Sequence, residues 1–447
     1  MMDYNPRLDA LRALCVFGVM CFHWQGILQF GWIGVQTFFV LSGFLMTSIL
    51  TPAKEKYDAR NFFLVFQWRR ALRIFPAYFG YVFFLAGVFW LTRQPSSLPQ
   101  VIPFLSTLTL NIARLLPWFN NDQAYTHLWS LGVEMQFYLL WPLLIYFTNR
   151  ERLPILIYFL LATAPLLRFL TELQTSAVYS DPEAIGNAVY NSPLSHLDAF
   201  AAGAAVSLGI PGFRSGFGQK FAALASMTIL AGLGLTIVSH IQGSPIPSAS
   251  LGYPINLPNF HSSVWGYSLI NLTSAFLIGM LKTEDLPFFR NAVVQRLGRI
   301  SYGMYLFHLP VQKLLKPPLS GKAGIDTESI AFFGLSIIGT ILLALTSYEC
   351  FEVHFLRLKN LYQPENADRG MRIAERGSER VSGQTKTEAL ETSEPEALPL
   401  PGNFPPEIAH GSIGGMKATH SMNPAPGRRR RGAKVNPFER GPIRCET

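Results

Sequence analysis

A few ionisable side chains lie within or at the edge of long apolar runs in this sequence: His23, Glu134, His196, Asp198 and His308. Charge carried into hydrocarbon is costly, so such residues are candidates for function by default. Neutral imidazole, which titrates near pH ~6.5, suits proton transfer. Arg12 and His23 are eleven residues apart, about three helical turns. On a helix they share nearly one face, roughly 16 Å apart along the axis. Asp9 and Arg12, at i and i+3, can pair. Alone, Arg12 reads as an end-of-helix residue whose guanidinium snorkels to the interface. His23 reads equally as a packing histidine or as a base.

A second cluster is basic. Trp68-Arg-Arg-Ala-Leu-Arg73 places Arg70 and Arg73 one helical turn apart, with Arg69 beside them. It reads as an anchor on the positive side of a membrane or as a phosphate clamp, since guanidinium forks hold phosphates bidentately. Other signatures are missing. There is no G-x-S-x-G, Walker, G-x-G-x-x-G or H-E-x-x-H motif, no His followed five positions later by Asp, and no internal repeat of the transporter kind. The four cysteines form no C-x-x-C pair, so neither a disulfide framework nor a metal site is expected.

These residues must be positioned by membrane helices. The chain has 447 residues, 49% hydrophobic and only 15% charged, with a mean hydropathy of +0.24. Soluble domains carry about 25% charged residues. Ten apolar runs, roughly 10–30, 33–50, 74–92, 128–148, 153–170, 194–210, 221–240, 264–281, 300–315 and 329–350, approach the length needed to cross a bilayer. The first leads straight into the second without a small-residue cleavage site, so no signal peptide is expected. The stretch 101–118 contains Pro103, Asn111, Arg114 and Pro117 and reads as re-entrant or interfacial.

The net charge is +9, of which residues 361–447 supply only +2 from 13 Lys+Arg and 11 Asp+Glu. The remaining excess lies in loops between runs, where it orients helices; nucleic acid is not an expected partner. With ten spans and a cytoplasmic N-terminus, loops 51–73, 149–152, 211–220 and 282–299 are basic and inside, while 171–193 and 241–263 contain no Lys or Arg. This predicts an all-α polytopic protein of about ten transmembrane helices with both termini cytoplasmic. Residues 1–360 form the membrane domain. Residues 361–447, rich in Glu, Ser, Gly and Pro, are expected to be a disordered cytoplasmic tail. The run Arg428–Arg431 reads as a solvated segment or a contact with anionic head groups.

An ordered series of segments resembles the membrane acyltransferase-3 family, which O-acylates sugars and other envelope molecules. Arg7-Leu-Asp-Ala-Leu-Arg12 with His23 resembles the family's opening, including its Arg-x10-His spacing. Gly34–Leu45 resembles its second-span signature, with Gln36 where Asp is common. Arg69–Pro76 resembles its basic loop, and His127–Tyr138 with Trp141-Pro142 its central motif. His196–Gly203 and Ile300–His308 also fit. Ser347–His354 is a degraded form of a Tyr…Glu-Arg-Pro ending, with Val353 and His354 in place of Arg and Pro.

The resemblance, over about residues 4–358, implies a ten-helix core in a bacterial inner membrane. It implies transfer of an acyl group, acetyl on family grounds, from cytosolic acyl-CoA to a hydroxyl of an envelope or exported carbohydrate or a lipid-linked acceptor. The acyl-CoA is a donor substrate, and no permanently bound cofactor is implied. Some relatives carry an extracytoplasmic SGNH-type domain; the tail has neither the length nor the hydrophobicity for one, so any such partner is expected on a separate chain. In this reading His23 is the base or a transient acyl carrier, Glu134 holds its other ring nitrogen, and Arg12, Arg69, Arg70 and Arg73 bind the donor's phosphates. His308, Tyr302, Tyr305 and Asp198 line the acceptor side. The rival reading is a transporter or proton pathway, which the one-sided arginines and the lack of a repeat disfavour.

Overall fold

A computed structural model describes residues 5–24, 28–92, 98–116, 119, 124–254, 261–321, 326 and 328–362. All but two residues of the expected disordered tail, including Arg428–Arg431, lie outside the described residues. The described residues contain helices and no strand. In chain order the longer helices are α1 (Pro6–His23), α2 (Ile33–Lys56) and α3 (Ala59–Thr92). Two short ones follow, α4 (Leu98–Ser106) and α5 (Leu110–Ala113), then α6 (Trp129–Phe147), α7 (Leu153–Ser176), α8 (Pro182–Asn191) and α9 (Leu197–Leu208). The rest are α10 (Phe217–Ile241), α11 (Ser262–Thr283), α12 (Ala292–Arg299), α13 (Ser301–Gly321), α14 (Ile330–Ser347) and α15 (Val353–Arg357).

Every apolar run of the sequence is helical over most of its described length, but among the described residues seven helices, not ten, are long and apolar enough to cross a membrane. They are α2, α3, α6 with the turn before it, α7, α10, α11 and α14 continued to Arg357. The other three fall short for physical reasons. α1 carries Arg7, Asp9 and Arg12, and α13 carries His308, Gln312, Lys313 and Lys316. α9 has 12 residues, only ~18 Å of helix. The stretch expected to be re-entrant is α4 and α5, broken at Leu108, whose φ is +54°. Neither is long enough to span. α5 is fastened to α6 by a reciprocal amide pair between Asn111 and Gln136, at 3.3 and 3.1 Å.

Close packing depends on small residues, as is usual between apolar helices. A Cβ on Gly43 of α2 would meet the Phe200 carbonyl oxygen at 2.0 Å, and one on Gly203 of α9 would meet that of Val40 at 1.9 Å. The short α9, almost wholly buried, therefore presses backbone against backbone with α2. A Cβ on Gly298 of α12 would likewise meet the Asp9 carbonyl of α1 at 1.7 Å.

The basic segments gather at one end. Arg7 binds the Glu284 carbonyl, and Asn5, whose side chain also caps α1, binds that of Leu281 at 3.2 Å. Lys54 donates to the carbonyls of Ile145 and Thr148 at the end of α6, at 3.1 and 2.8 Å, a cation on a helix C-terminus. Arg150 pairs with Glu55 at 2.8 Å. The opposite end is tied by Trp32 to the Tyr253 carbonyl at 3.1 Å and by Phe30 N–H to that of Ala249 at 3.2 Å.

Candidate active site

α1 is unbroken from Pro6 to His23, so Arg12 and His23 occupy one face, Arg12 toward the basic end. Around His23 the structure assembles three histidines. His308 of α13 meets His23, Nε2 to Nδ1, at 3.2 Å, and the rings lie 5.0 Å apart. His127 stands in a single 3-10 turn, Thr126–Leu128, before α6, with its ring 4.9 Å from that of His308. His127 and His308 are fully buried.

Backbone carbonyls only accept hydrogen bonds, and this assigns the ring protons. His308 Nδ1 donates to the Tyr305 carbonyl at 2.7 Å, leaving its Nε2 to accept from His23 Nδ1. The same His23 Nδ1–H faces the Val19 carbonyl at 3.0 Å. The lone pair of neutral His23 is then on Nε2. His127 Nε2 donates to the Leu306 carbonyl at 3.1 Å, and its buried Nδ1 has no partner. Two basic nitrogens are thus left available in one cluster. No group of three or more His, Cys, Asp or Glu among the described residues is arranged to hold a metal.

Tyr305, one turn before His308, donates to the His127 carbonyl at 2.7 Å and lies 2.5 Å from the Ser130 hydroxyl. Ser130, Glu134 and Tyr138 follow at i, i+4 and i+8 on α6, a polar face that leads toward the arginines. Glu134 accepts from the hydroxyls of Ser42 and Tyr138. The expected pairing of Glu134 with His23 is not made: the His23 ring nitrogen is taken by Val19 and His308. The Arg70 guanidinium lies 5.5 Å from the centre of the Tyr138 ring. Arg12, bonded to Asp9, lies within electrostatic range of Arg70, Arg73 and Tyr138. Among the described residues no carboxylate pairs with Arg70 or Arg73. An arginine layer and a histidine cluster are therefore joined by a column of hydroxyls and one carboxylate.

The remaining expected residues lie at the margin of this arrangement, as Arg69 and Tyr302 do, or apart from it, as Asp198 does. Arg69 is exposed on α3. Tyr302 donates to the Ile74 carbonyl at 3.2 Å. Asp198 does not face the cluster. It forms a buried bidentate pair with Arg168 at 2.9 Å and also accepts from Ser268 and Asn271, which makes it a structural anchor of α9 against α7 and α11. His196 holds the Tyr190 carbonyl at 2.9 Å and the Gln36 amide. Glu352 is buried and accepts from Ser347 at 3.0 Å.

Three residues join the site unforeseen. His127 ends a polar loop just ahead of an apolar run, where hydropathy gives no signal, although it heads a motif quoted above. Arg114 donates to the Thr126 carbonyl at 3.0 Å and lies within electrostatic range of His23, His127 and Tyr305. Lys359, at the domain boundary read from composition, lies near Arg73, Arg70 and Arg69. Burial first, and then those arginines, pull its ammonium down to about 8.

The described residues thus form an all-helical scaffold of apolar helices in which an arginine layer leads to buried imidazoles. The family profile described as an acyltransferase domain matches residues 5–349, and the chain belongs to that membrane acyltransferase-3 family. It is 28% identical over 380 residues to YrhL of Bacillus subtilis, whose name provisionally assigns it peptidoglycan O-acetylation. That match covers 78% of this chain and 54% of the relative. It is 38% identical over 157 residues to the O-acetyltransferase OatA of Staphylococcus aureus, 32% of this chain and 25% of the relative. The chain thus spans about half the length of the first relative or less. No solved structure matches.

Proposed function

We propose that this protein is an integral membrane O-acetyltransferase of the bacterial inner membrane. It takes the acetyl group from cytosolic acetyl-CoA and esterifies a hydroxyl of an envelope carbohydrate, peptidoglycan being the acceptor class that the name of the Bacillus relative supports. The observation that carries this reading is the His23–His308 contact at one end of a continuous helix that holds Arg12 toward the other. Arg70 and Arg73, which pair with no carboxylate among the described residues, suit an anionic donor; imidazoles with free lone pairs suit removal of a hydroxyl proton.

In this reading Arg12, Arg70 and Arg73 hold the coenzyme phosphates and the pantetheine arm extends along the Tyr138–Glu134–Ser130 column. The acceptor O–H gives its proton to His23 Nε2 while its oxygen attacks the thioester carbonyl. Arg114 is the nearby cation for the oxyanion. The C–S bond breaks, the imidazolium returns the proton to the leaving thiolate, and free CoA departs. His308 keeps His23 in the tautomer with Nε2 unprotonated, the role of an orienting partner in a triad.

The test supplies purified protein in liposomes with acetyl-CoA and muropeptide acceptors, and follows free thiol and an acetyl mass increment. Matched release of CoA and ester formation is expected. Arg70→Ala is expected to raise the donor KM with little change for acceptor. No CoA release with any envelope glycan, or an unchanged donor KM in that variant, would count against the reading.

A further inference from the structure

A second basic site lies at the same end of the molecule on other elements. A cavity of about 420 Å³ is enclosed by the last turns of α2, the first residues of α7, the end of α9 with the loop after it, and Lys282 near the end of α11. Three cations line it, Arg150, Arg214 and Lys282, and no carboxylate does. Lys282 has no hydrogen-bonding partner among the described residues, its ammonium lying 5.1 Å from the centre of the Phe44 ring. Arg150 spends one Nη on Glu55, an exposed pair of the kind that water screens. Arg214 spends only its Nε, on the Gly209 carbonyl at 2.5 Å. The Ser207 hydroxyl is a further donor in the lining.

Depth decides what such a cavity can hold. One wall is the first turn of the span Leu153–Ser176, another the last turn of the span Ser262–Thr283. The cavity therefore stands where hydrocarbon gives way to head groups. Just outside it α7 presents Ile155 and Phe159, 68% and 62% exposed, an apolar track running into the hydrocarbon. A free nucleotide has no use for that track, whereas a diacyl lipid does.

We propose that this cavity binds the phosphate of an anionic glycerophospholipid, with Arg150, Arg214 and Lys282 on the phosphate and the acyl chains laid along α7. It is separate from the arginine layer of α1 and α3, and its occupant does not react. Basic pockets between spans are a recognised form of lipid site.

The probe is phosphatidylglycerol, added to the full-length protein in detergent and counted by native mass spectrometry, with phosphatidylcholine as reference. Wild type is expected to retain phosphatidylglycerol preferentially. Arg150→Gln with Lys282→Gln should lower the retained fraction roughly tenfold or more, whereas Lys282→Arg should retain it. Should the double variant fail to fold, Lys282→Gln alone serves the same comparison. His23→Ala keeps the lipid, so failure of transfer and failure of this site are told apart. A parallel arm offers adenosine 3′,5′-bisphosphate, the water-soluble phosphate source. Equal phosphatidylglycerol retention by wild type and the glutamine variants would overturn the proposal, as would variant-sensitive binding of the bisphosphate alone.

Discussion

His23, His127 and His308 derive their character from what surrounds them. Two carbonyls and one neighbouring ring assign their protons, so each presents a defined donor or acceptor. Sequence reading found His23 and His308 because an imidazole inside an apolar run stands out. It could not see His127 or Arg114, which sit outside such runs and come into place only through a 3-10 turn and a broken helical segment. It placed Asp198 on the acceptor side without sight of Arg168, the partner that neutralises it from 30 residues away on another helix. Lys359 gives a pH prediction. Its free-state value is about 8, well below an ordinary lysine, because burial and three arginines disfavour the charged form. A polyanionic donor favours that form. As pH rises through about 8 the ammonium is lost before the donor arrives, so donor KM should increase between roughly pH 7.5 and 9. Lys359→Met should abolish that rise while leaving the acceptor KM unaltered. A donor KM with the same pH profile in the variant would remove Lys359 from the donor site.

At the scale of elements, hydropathy located all the long helices but not their ends. α3 begins at Ala59, fifteen residues before the apolar run noticed in the sequence, because Arg60, Arg69, Arg70 and Arg73 interrupt the pattern without interrupting the helix. α9 is short because it is held by contacts rather than by lipid: glycine approach to α2 on one side and the Arg168–Asp198 pair on another. Asp198→Asn leaves a buried guanidinium without its counter-charge, which should cost about 3–5 kcal/mol, read by thermal unfolding of purified protein. If stability is unchanged and acceptor KM rises instead, the residue belongs to the acceptor side after all. Gly203→Leu has no room, its first carbon meeting backbone. It should lower the yield of folded protein and the unfolding temperature, whereas Gly234→Leu on α10, where no atom lies within 4 Å, should not.

At the scale of the whole molecule, the basic segments at one end and the Lys- and Arg-free segments 171–193 and 241–254 at the other make the described residues a polarised body. The bias of Lys and Arg toward the cytoplasm predicts that the basic end faces the cytosol. Ser215→Cys and Ser180→Cys are both exposed and on opposite ends. In intact cells an impermeant maleimide should label Ser180→Cys and spare Ser215→Cys until the membrane is opened; the reverse pattern would place the arginine layer away from the cytosolic donor. In the proposed function, the donor binds at the basic end and the hydroxyl is acylated toward the other. The most direct measurement is acetyl transfer by His23→Ala in liposomes, with insertion checked by the same maleimide pattern. Loss of the base predicts a fall of roughly 10²–10⁴ in turnover with the protein folded and its donor affinity retained. Transfer at the wild-type rate would contradict a reaction centred on His23.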